Sequence, residues 1–183
     1  MQVIVHVEVS PETYARERFQ ERVRAPEECP NCWQRACLWV HGVYSRYTTG
    51  ATGKDVSFLV KRFLCRRCRV TVSCLPDFAQ PYRLINQATV ESYVIGDHER
   101  REVQAWLALL KRYEQQFAAW LPVLKQLIGN RFGRGSPKED ATVFWRRAVA
   151  MCGSTAKLTL VLVKEFRVTY FRIYRCHQPH PAG

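Results

Sequence analysis

Valine recurs at every second position near the start of the chain, at Val3, Val5, Val7 and Val9. This period of two is typical of a half-buried β-strand. Ser10 and Pro11 then have the chemistry of an N-cap and a first-turn proline. The sequence therefore predicts a strand followed by a helix that runs to about residue 23.

The segment between residues 38 and 73 has the composition of β-strands. Residues 38–47 and 56–64 are rich in aromatic and β-branched side chains, and residues 48–55 between them have the composition of a turn. Residues 69–73 repeat the strand pattern. We therefore predict a hairpin and a closing strand, a sheet too small to be stable without further support.

Two cysteine pairs flank this hairpin, Cys29-Pro-Asn-Cys32 and Cys65-Arg-Arg-Cys68. A two-residue spacer lets both thiolates of one tight turn reach the same ion, and two such turns complete the four-thiolate shell of a structural zinc. The sequence therefore predicts one structural Zn²⁺ bound by Cys29, Cys32, Cys65 and Cys68. The resulting zinc ribbon is expected to need its metal to fold.

Disulfides and a redox dithiol are the alternatives for these pairs. Disulfides belong to oxidising compartments, whereas residues 1–8 lack the basic and apolar regions of a secretory signal. No apolar run approaches the roughly 18 residues of a membrane span. We therefore expect a cytoplasmic protein without a membrane partner, and association with the nucleoid stays open.

Four further cysteines do not occur in pairs with a two-residue spacer: Cys37, Cys74, Cys152 and Cys176. A thiol in an apolar context behaves as a small hydrophobic group, so we assign these cysteines to packing. Cys176 and His177 could supply two ligands to a second metal ion, but the sequence contains no second pair that would complete such a site.

After residue 78 the apolar period becomes helical. A short helix is predicted over residues 86–95. Asp97 is expected to cap a long amphipathic helix, which Pro122 should kink or split.

Residues 131–135 form a basic, glycine-containing joint. Ser136-Pro-Lys-Glu139 has the form of a capping box with a first-turn proline and predicts a helix to about residue 151. Residues 156–166 are predicted to continue as helix, with a β-strand as the alternative because the segment contains valines.

Together these elements predict the α+β class: a small four-cysteine zinc-ribbon β-sheet followed by an antiparallel helical domain. The predicted units are an N-terminal strand and helix (residues 1–28), the zinc ribbon (29–82) and the helical domain (83–183). The basic glycine joint lies near residues 129–136 of the last unit. A chain of 183 residues is long enough for this arrangement.

Basic residues outnumber acidic ones. The chain has 28 Lys+Arg against 16 Asp+Glu, a formal net charge of +12, which predicts attraction to a polyanion. Some arginines beside the cysteines could simply neutralise the thiolate shell. The predicted phosphate contacts on the ribbon are Arg46, Lys61, Arg62, Arg66, Arg67 and Arg69.

Aromatic residues accompany these basic ones in the ribbon: Tyr44, Tyr47, Phe58 and Phe63. We assign Phe58 and Phe63 to the small core and leave stacking on bases open for Tyr47. A second basic set lies at the joint and on the helix that follows: Arg131, Arg134, Lys138, Arg146 and Arg147. A solvated helix face explains this set about as well as a ligand does.

Catalytic constellations are scarce. The four aspartates lie at turns or caps, where backbone geometry explains them: Asp55, Asp77, Asp97 and Asp140. Asp97-His-Glu99 with Glu102 is better explained as an acidic helix N-terminus than as a metal cluster. No glycine-rich phosphate loop occurs. We therefore expect a protein that is not an enzyme, and an unrecognised catalytic site is the weakest alternative.

A longer run of motifs resembles a known module. The motifs are Cys29-Pro-Asn-Cys32, His41-Gly-Val-Tyr-Ser-Arg46, Arg62-Phe-Leu-Cys65-Arg-Arg-Cys68-Arg-Val-Thr71, Leu75-Pro-Asp-Phe78 and Pro81-Tyr-Arg83. They resemble the zinc-binding N-terminal module of bacterial insertion-sequence transposases and of related transposon-associated proteins of unknown function. The closing Tyr174-Arg-Cys-His-Gln178 resembles the ending of such proteins.

The resemblance implies that the same four cysteines bind zinc and that four arginines contact DNA: Arg46, Arg66, Arg67 and Arg83. It also departs from the transposase pattern, because the helices after residue 82 lack a convincing helix-turn-helix and no catalytic domain with three acids follows in this sequence. The resemblance therefore implies DNA binding in a mobile-element setting rather than strand transfer.

The sequence thus predicts a zinc-dependent nucleic-acid-binding protein, with double-stranded DNA as the expected ligand, that acts as an accessory or regulator of a bacterial mobile element. The complete set of predicted nucleic-acid contacts is Arg46, Lys61, Arg62, Arg66, Arg67, Arg69, Arg83, Arg131 and Arg134. The alternative is a protein-interaction adaptor whose ribbon docks on a transposase or a transcription partner.

Overall fold

The computed structural model describes residues 1–81, 83–136 and 138–171 and confirms the α+β class. The strands are β1 (Gln2–Val5), β2 (Leu38–Thr49), β3 (Asp55–Cys65) and β4 (Thr71–Pro76). The helices are α1 (Pro11–Arg16), α2 (Gln87–Ile95), α3 (Arg101–Ala105), α4 (Leu107–Phe132), α5 (Ala141–Cys152) and α6 (Thr155–Val161). A 3-10 turn (Phe19–Arg22) follows α1, and a π-helical turn (Leu162–Phe166) follows α6.

The four strands form one sheet in the order β1-β4-β3-β2. β2, β3 and β4 are successive antiparallel neighbours, which confirms the predicted hairpin and closing strand. β1 pairs in parallel with β4, so the N-terminal strand belongs to the same sheet as the ribbon strands. The proposed limits between domains stay a prediction.

The N-terminal helix is shorter than predicted. Ser10 caps α1 as expected, since its hydroxyl accepts a hydrogen bond from the amide of Thr13. The helix ends at Arg16, not near residue 23, because Arg18 adopts a left-handed conformation with φ of 50°. α1 still covers the sheet, since Tyr14 is fully buried and its ring meets that of Phe58 edge-on at 5.9 Å.

The helical half encloses a larger apolar core. Asn86 caps α2, which confirms the short helix. The long helix begins later than predicted, because Arg100, not Asp97, is the N-cap position of α3. The helical conformation is interrupted at Trp106, and α4 begins at the next residue. α4 is not split at Pro122, which lies inside the helix and is exposed to solvent.

The next helix also begins later than the capping box predicts. Asp140 is its N-cap and accepts a hydrogen bond from the amide of Thr142 (2.7 Å). Glu139 is drawn away from a capping role by ion pairs with Lys125 (3.3 Å) and Arg147 (3.1 Å). Pro137, the predicted first helical residue, lies outside the described residues. α6 confirms helix where a strand had stayed open.

The turn end of the β2–β3 hairpin is attached to the helical half. Asn86 donates through its side-chain amide to the carbonyl of Thr49 (2.5 Å), and Trp106 Nε1 donates to the carbonyl of Gly53 (3.0 Å). Gly53 has φ of +79°, and a Cβ there would lie 3.0 Å from the Cβ of Ala105. This close approach requires glycine. Cys65 lies at the other end of β3, roughly 35 Å along the strand at about 3.3 Å per residue.

Among the described residues, no helix combines the length and the apolar character needed to cross a bilayer.

Candidate metal centre and basic surface

The first cysteine pair lies in a tight, hydrogen-bonded turn. The amide of Trp33 donates to the carbonyl of Cys29 (2.8 Å), and the amide of Cys29 donates to the carbonyl of Gln34 (3.0 Å). Trp33 has a left-handed φ of 58°. The chain therefore folds back directly after Cys32, so both thiols of the pair reach the same point.

The second pair repeats this backbone turn. The amide of Arg69 donates to the carbonyl of Cys65 (2.9 Å), the amide of Cys65 donates to the carbonyl of Val70 (3.0 Å), and Arg69 has φ of 61°. A left-handed non-glycine residue costs about 1 to 2 kcal/mol. We call these two cysteine turns the first knuckle (residues 29–34) and the second knuckle (residues 65–70). A left-handed residue at the equivalent position of each indicates that the geometry of the turn outweighs this local cost.

The two knuckles bring their four thiols together. The Sγ atoms of Cys29, Cys32, Cys65 and Cys68 all lie within 4.8 Å of one another. The pairs across the knuckles are closer still, at 3.7 Å for Cys29–Cys68 and 3.6 Å for Cys32–Cys65. Sulfurs bound tetrahedrally at about 2.3 Å from zinc lie about 3.8 Å apart. The four cysteines could therefore hold a metal ion, and their spacing fits zinc.

Burial opposes ionisation of part of this cluster. It raises the pKa of Cys29 to about 12 and also raises the pKa of Cys32. Burial acts in the same direction on Cys65, but hydrogen bonds from the amide of Cys68, the thiol of Cys37 and the amide of Arg67 together lower the pKa of Cys65 to about 6. A bound cation is needed to hold all four groups as thiolates, and its binding releases protons.

Cys37 is a fifth thiol beside the cluster. Its Sγ lies 3.3 Å from Cys65 Sγ and 3.0 Å from the carbonyl oxygen of Gln34. Burial raises the pKa of Cys37 to about 11, which favours the neutral thiol. We therefore assign Cys37 to packing against the ligands, as the sequence predicted, although its contact with Cys65 was not foreseen.

Two other predicted packing cysteines lie away from the cluster. Cys74 is fully buried with Phe63 and Val23 in a small core under the sheet, and Cys152 is partly buried against the helical core. Phe63 and Phe58 are 3% and 2% exposed, which confirms their assignment to packing. Cys176-His177 and the motif at residues 174–178 lie outside the described residues.

Three of the predicted nucleic-acid contacts hold parts of the protein together. Arg46 donates to the carbonyls of Gln80 (2.6 Å) and Arg83 (2.7 Å). Arg83 donates to Gln116 (2.9 Å). Lys61 donates to two carbonyls that follow α1, of Glu21 (3.1 Å) and Val23 (2.9 Å). The structure gives Arg46, Arg83 and Lys61 internal roles, and their contact with nucleic acid stays a prediction.

The other ribbon arginines face solvent to a greater extent. Arg62 is half-buried with its guanidinium 5.7 Å from the ring centre of Tyr44, and Arg66 lies 3.1 Å from that of Trp39. Arg67 and Arg69 are exposed, and neither side chain has a partner among the described residues. The two arginines that are best placed to bind an anion therefore lie on the second knuckle.

Three members of the second basic set have internal partners within the helical half. Arg131 pairs with Glu165, Arg146 donates to the carbonyl of Val94 (3.1 Å), and Arg147 pairs with Glu139. Arg134 and Lys138 are exposed near the start of α5. A predicted DNA contact at Arg131 therefore competes with an internal ion pair.

A contact that the sequence did not reveal joins the exposed His6, just after β1, to the buried Asp77. The ring Nδ1 of His6 contacts Oδ2 of Asp77, and the amide of Val7 donates to the other carboxylate oxygen (3.2 Å). Asp77 is 5% exposed. Its position after Leu75-Pro76 indicated only a turn, because its partners lie about 70 residues earlier in the chain.

This pair makes a pH-dependent contribution to stability. The hydrogen bond that the His6 ring donates to the Asp77 carboxylate, followed by the negative charge of that carboxylate, raises the pKa of His6 above its ordinary value. The stabilisation is therefore fully present below pH about 6.5 and is lost as pH rises through the higher folded pKa. We expect NMR titration of the His6 ring to give a midpoint above that of an unfolded histidine. Asp77→Asn should lower this midpoint, and an unchanged midpoint contradicts the pairing.

The chain matches the family described as a domain of unknown function, DUF6431, over residues 29–113. The match begins at the first cysteine of the cluster, covers both knuckles and the β2–β4 part of the sheet, and ends within α4. No curated protein and no solved structure matches the chain. The four-cysteine cluster thus lies within the part of the chain that matches this family.

Proposed function

We propose that this protein binds nucleic acid, with double-stranded DNA as the main ligand, through the metal-bound end of its ribbon. One observation carries the proposal. The second knuckle joins a four-thiol cluster to Arg67 and Arg69, two exposed arginines without a partner among the described residues. Phosphate oxygens are the natural ligands of such guanidinium groups.

The metal in this proposal is one zinc ion with a structural role. Four soft thiolates fill a tetrahedral shell, so no position stays open for water or substrate. The cluster lies in a part of the ribbon where the buried hydrophobic contacts come largely from the cysteines themselves. Zinc therefore replaces a hydrophobic core there and fixes the knuckle that carries the arginines.

The charge at this end remains positive after the metal is counted. Four thiolates with Zn²⁺ carry a formal charge of −2. Arg66, Arg67 and Arg69 follow one another on the knuckle and offset it, within a chain whose net charge is +12. The setting of a bacterial mobile element rests on the resemblance of the cysteine and His41–Arg46 motifs to transposase modules.

The second candidate function is a protein-interaction adaptor. β2 is an edge strand of the sheet, and it exposes several large apolar side chains: Trp39, Val40, Val43 and Tyr47. An exposed edge with apolar side chains suits pairing with a strand of another protein. A transposase or a transcription protein is the partner that the adaptor hypothesis names.

Salt dependence separates the two functions. We expect binding of a short random duplex, followed by fluorescence polarisation between about 0.05 and 0.3 M salt, to weaken with a log–log slope of about −2 to −3 if two or three phosphates are contacted. Metal analysis on the same sample should give about one zinc per chain. Zinc without any DNA binding favours the adaptor, and absence of zinc contradicts the ribbon.

A further inference from the structure

Trp39 is the most unusual aromatic residue of the ribbon. It lies near the start of β2, opposite Leu64 of β3, and is 52% exposed. The guanidinium of Arg66 lies over its ring, with Cζ 3.1 Å from the ring centre. One face of the indole is thus covered by a cation, and about half of the side chain still meets solvent.

The backbone on both sides of the stack is hydrogen-bonded to the residues around the four-cysteine cluster. The amide of Arg66 donates to the carbonyl of Cys37 (2.9 Å), which ties the second knuckle to the segment that leads into β2. Leu38, directly before Trp39, pairs with the cluster cysteine Cys65. The backbone of both members of the stack is therefore tied to the four-cysteine cluster, so that less of it has to be ordered when a flat ligand binds.

Stacking on an aromatic ring is how proteins bind unpaired bases, and a nearby arginine adds a cation–π contribution. The bases inside an intact duplex cover one another, so only an unpaired or terminal base can offer its face. Arg67 and Arg69 lie on the same knuckle and can hold the phosphates beside such a base. The arrangement combines a stacking platform with a basic rim.

We propose that Trp39, backed by Arg66, stacks on one unpaired base, so that the preferred ligand is DNA with a single-stranded segment next to duplex. This inference rests on the proposed function and narrows its ligand. It assigns duplex contacts to the knuckle arginines and recognition of the unpaired base to Trp39.

The test compares three labelled DNAs that share one sequence: a blunt duplex, the same duplex with a single-stranded overhang, and the single strand. We expect the wild-type protein to bind the overhang DNA about tenfold more tightly than the blunt duplex, since a stacked base contributes by about this factor or more. Trp39→Ala should remove this preference and leave blunt-duplex affinity within about twofold, whereas Trp39→Phe should retain part of it. Quenching of tryptophan fluorescence by the overhang should disappear with Trp39→Ala.

Tyr47→Ala is the matched control, because Tyr47 is an equally exposed aromatic residue (55%) of β2 at the end remote from the metal. It should leave the preference unchanged. Equal binding of overhang and blunt DNA, or an equal effect of both alanine variants, overturns the stacking proposal while duplex binding stands. If no DNA binds at all, the proposed function falls together with it. Zinc content of each variant shows that the ribbon is intact.

Discussion

Replacing Cys68 by serine is expected to lower the bound metal from about one ion per chain to nearly none, because a serine hydroxyl is a poor ligand for zinc. The ribbon strands should lose order at the same time. Structural zinc contributes an apparent folding free energy of about 10 to 16 kcal/mol in zinc-finger peptides, which exceeds the stability of most small domains. Elemental analysis and an amide NMR spectrum measure the two effects.

Two further variants make this result specific. Cys68 is only partly buried, so histidine has room there, and Cys68→His should restore metal binding through a three-cysteine, one-histidine shell. Cys37→Ser changes a buried thiol 3.3 Å from Cys65 and should keep the full metal content. Loss of the metal from Cys37→Ser, with Cys68→Ser unaffected, contradicts the ligand set.

The four-cysteine cluster could be predicted because the signal of each cysteine pair is local. Each pair of ligands sits in one turn, and the spacing alone determines whether both thiols of that turn can reach one ion. Cys29, Cys32, Cys65 and Cys68 therefore converge in the structure as the sequence predicts. The turn geometry repeats between the knuckles although only the cysteines themselves are shared.

Helix boundaries were less predictable because several caps compete for the same helix. Ser136 and Asp140 are both good N-caps, and sequence alone favours Ser136 with its following proline. The structure selects Asp140, and Glu139 instead pairs with Lys125 of α4 and with Arg147 of α5 itself. The ion pair with Lys125 joins this helix start to α4, and no local pattern contains it.

The roles of individual arginines were also beyond the sequence. The sequence predicts the same role, phosphate contact, for Arg46 and Arg67. In the structure Arg46 donates to the carbonyls of Gln80 and Arg83, whereas Arg67 is exposed to solvent. The partners of Arg46 lie more than 30 residues away. The same holds for β1, whose parallel pairing with β4 spans the whole ribbon. Alternation of apolar and polar residues predicts a strand, but it does not predict which strand pairs with it.

Removing the charges of Arg67 and Arg69 together should strongly weaken DNA binding. Both side chains are exposed and without partners among the described residues, so Arg67→Gln with Arg69→Gln changes charge without breaking an internal contact. If each arginine contacts one phosphate, the log–log salt slope should become shallower by about 1.8. Affinity near 0.1 M salt should fall by roughly 50- to 100-fold. Fluorescence polarisation with a random duplex measures both quantities.

The matched control is Lys111→Gln with Arg112→Gln. These residues are exposed on α4, one turn beyond the Trp106 that anchors the opposite end of the hairpin, and the substitution removes the same two charges. Its affinity should stay within about threefold of wild type, because charges farther from the DNA than about 10 Å are largely screened at 0.1 M salt. An equal loss in both double variants indicates diffuse attraction by the whole basic protein. A wild-type affinity in the knuckle variant means that the second knuckle is not the DNA-binding surface, and it shifts the balance towards the adaptor.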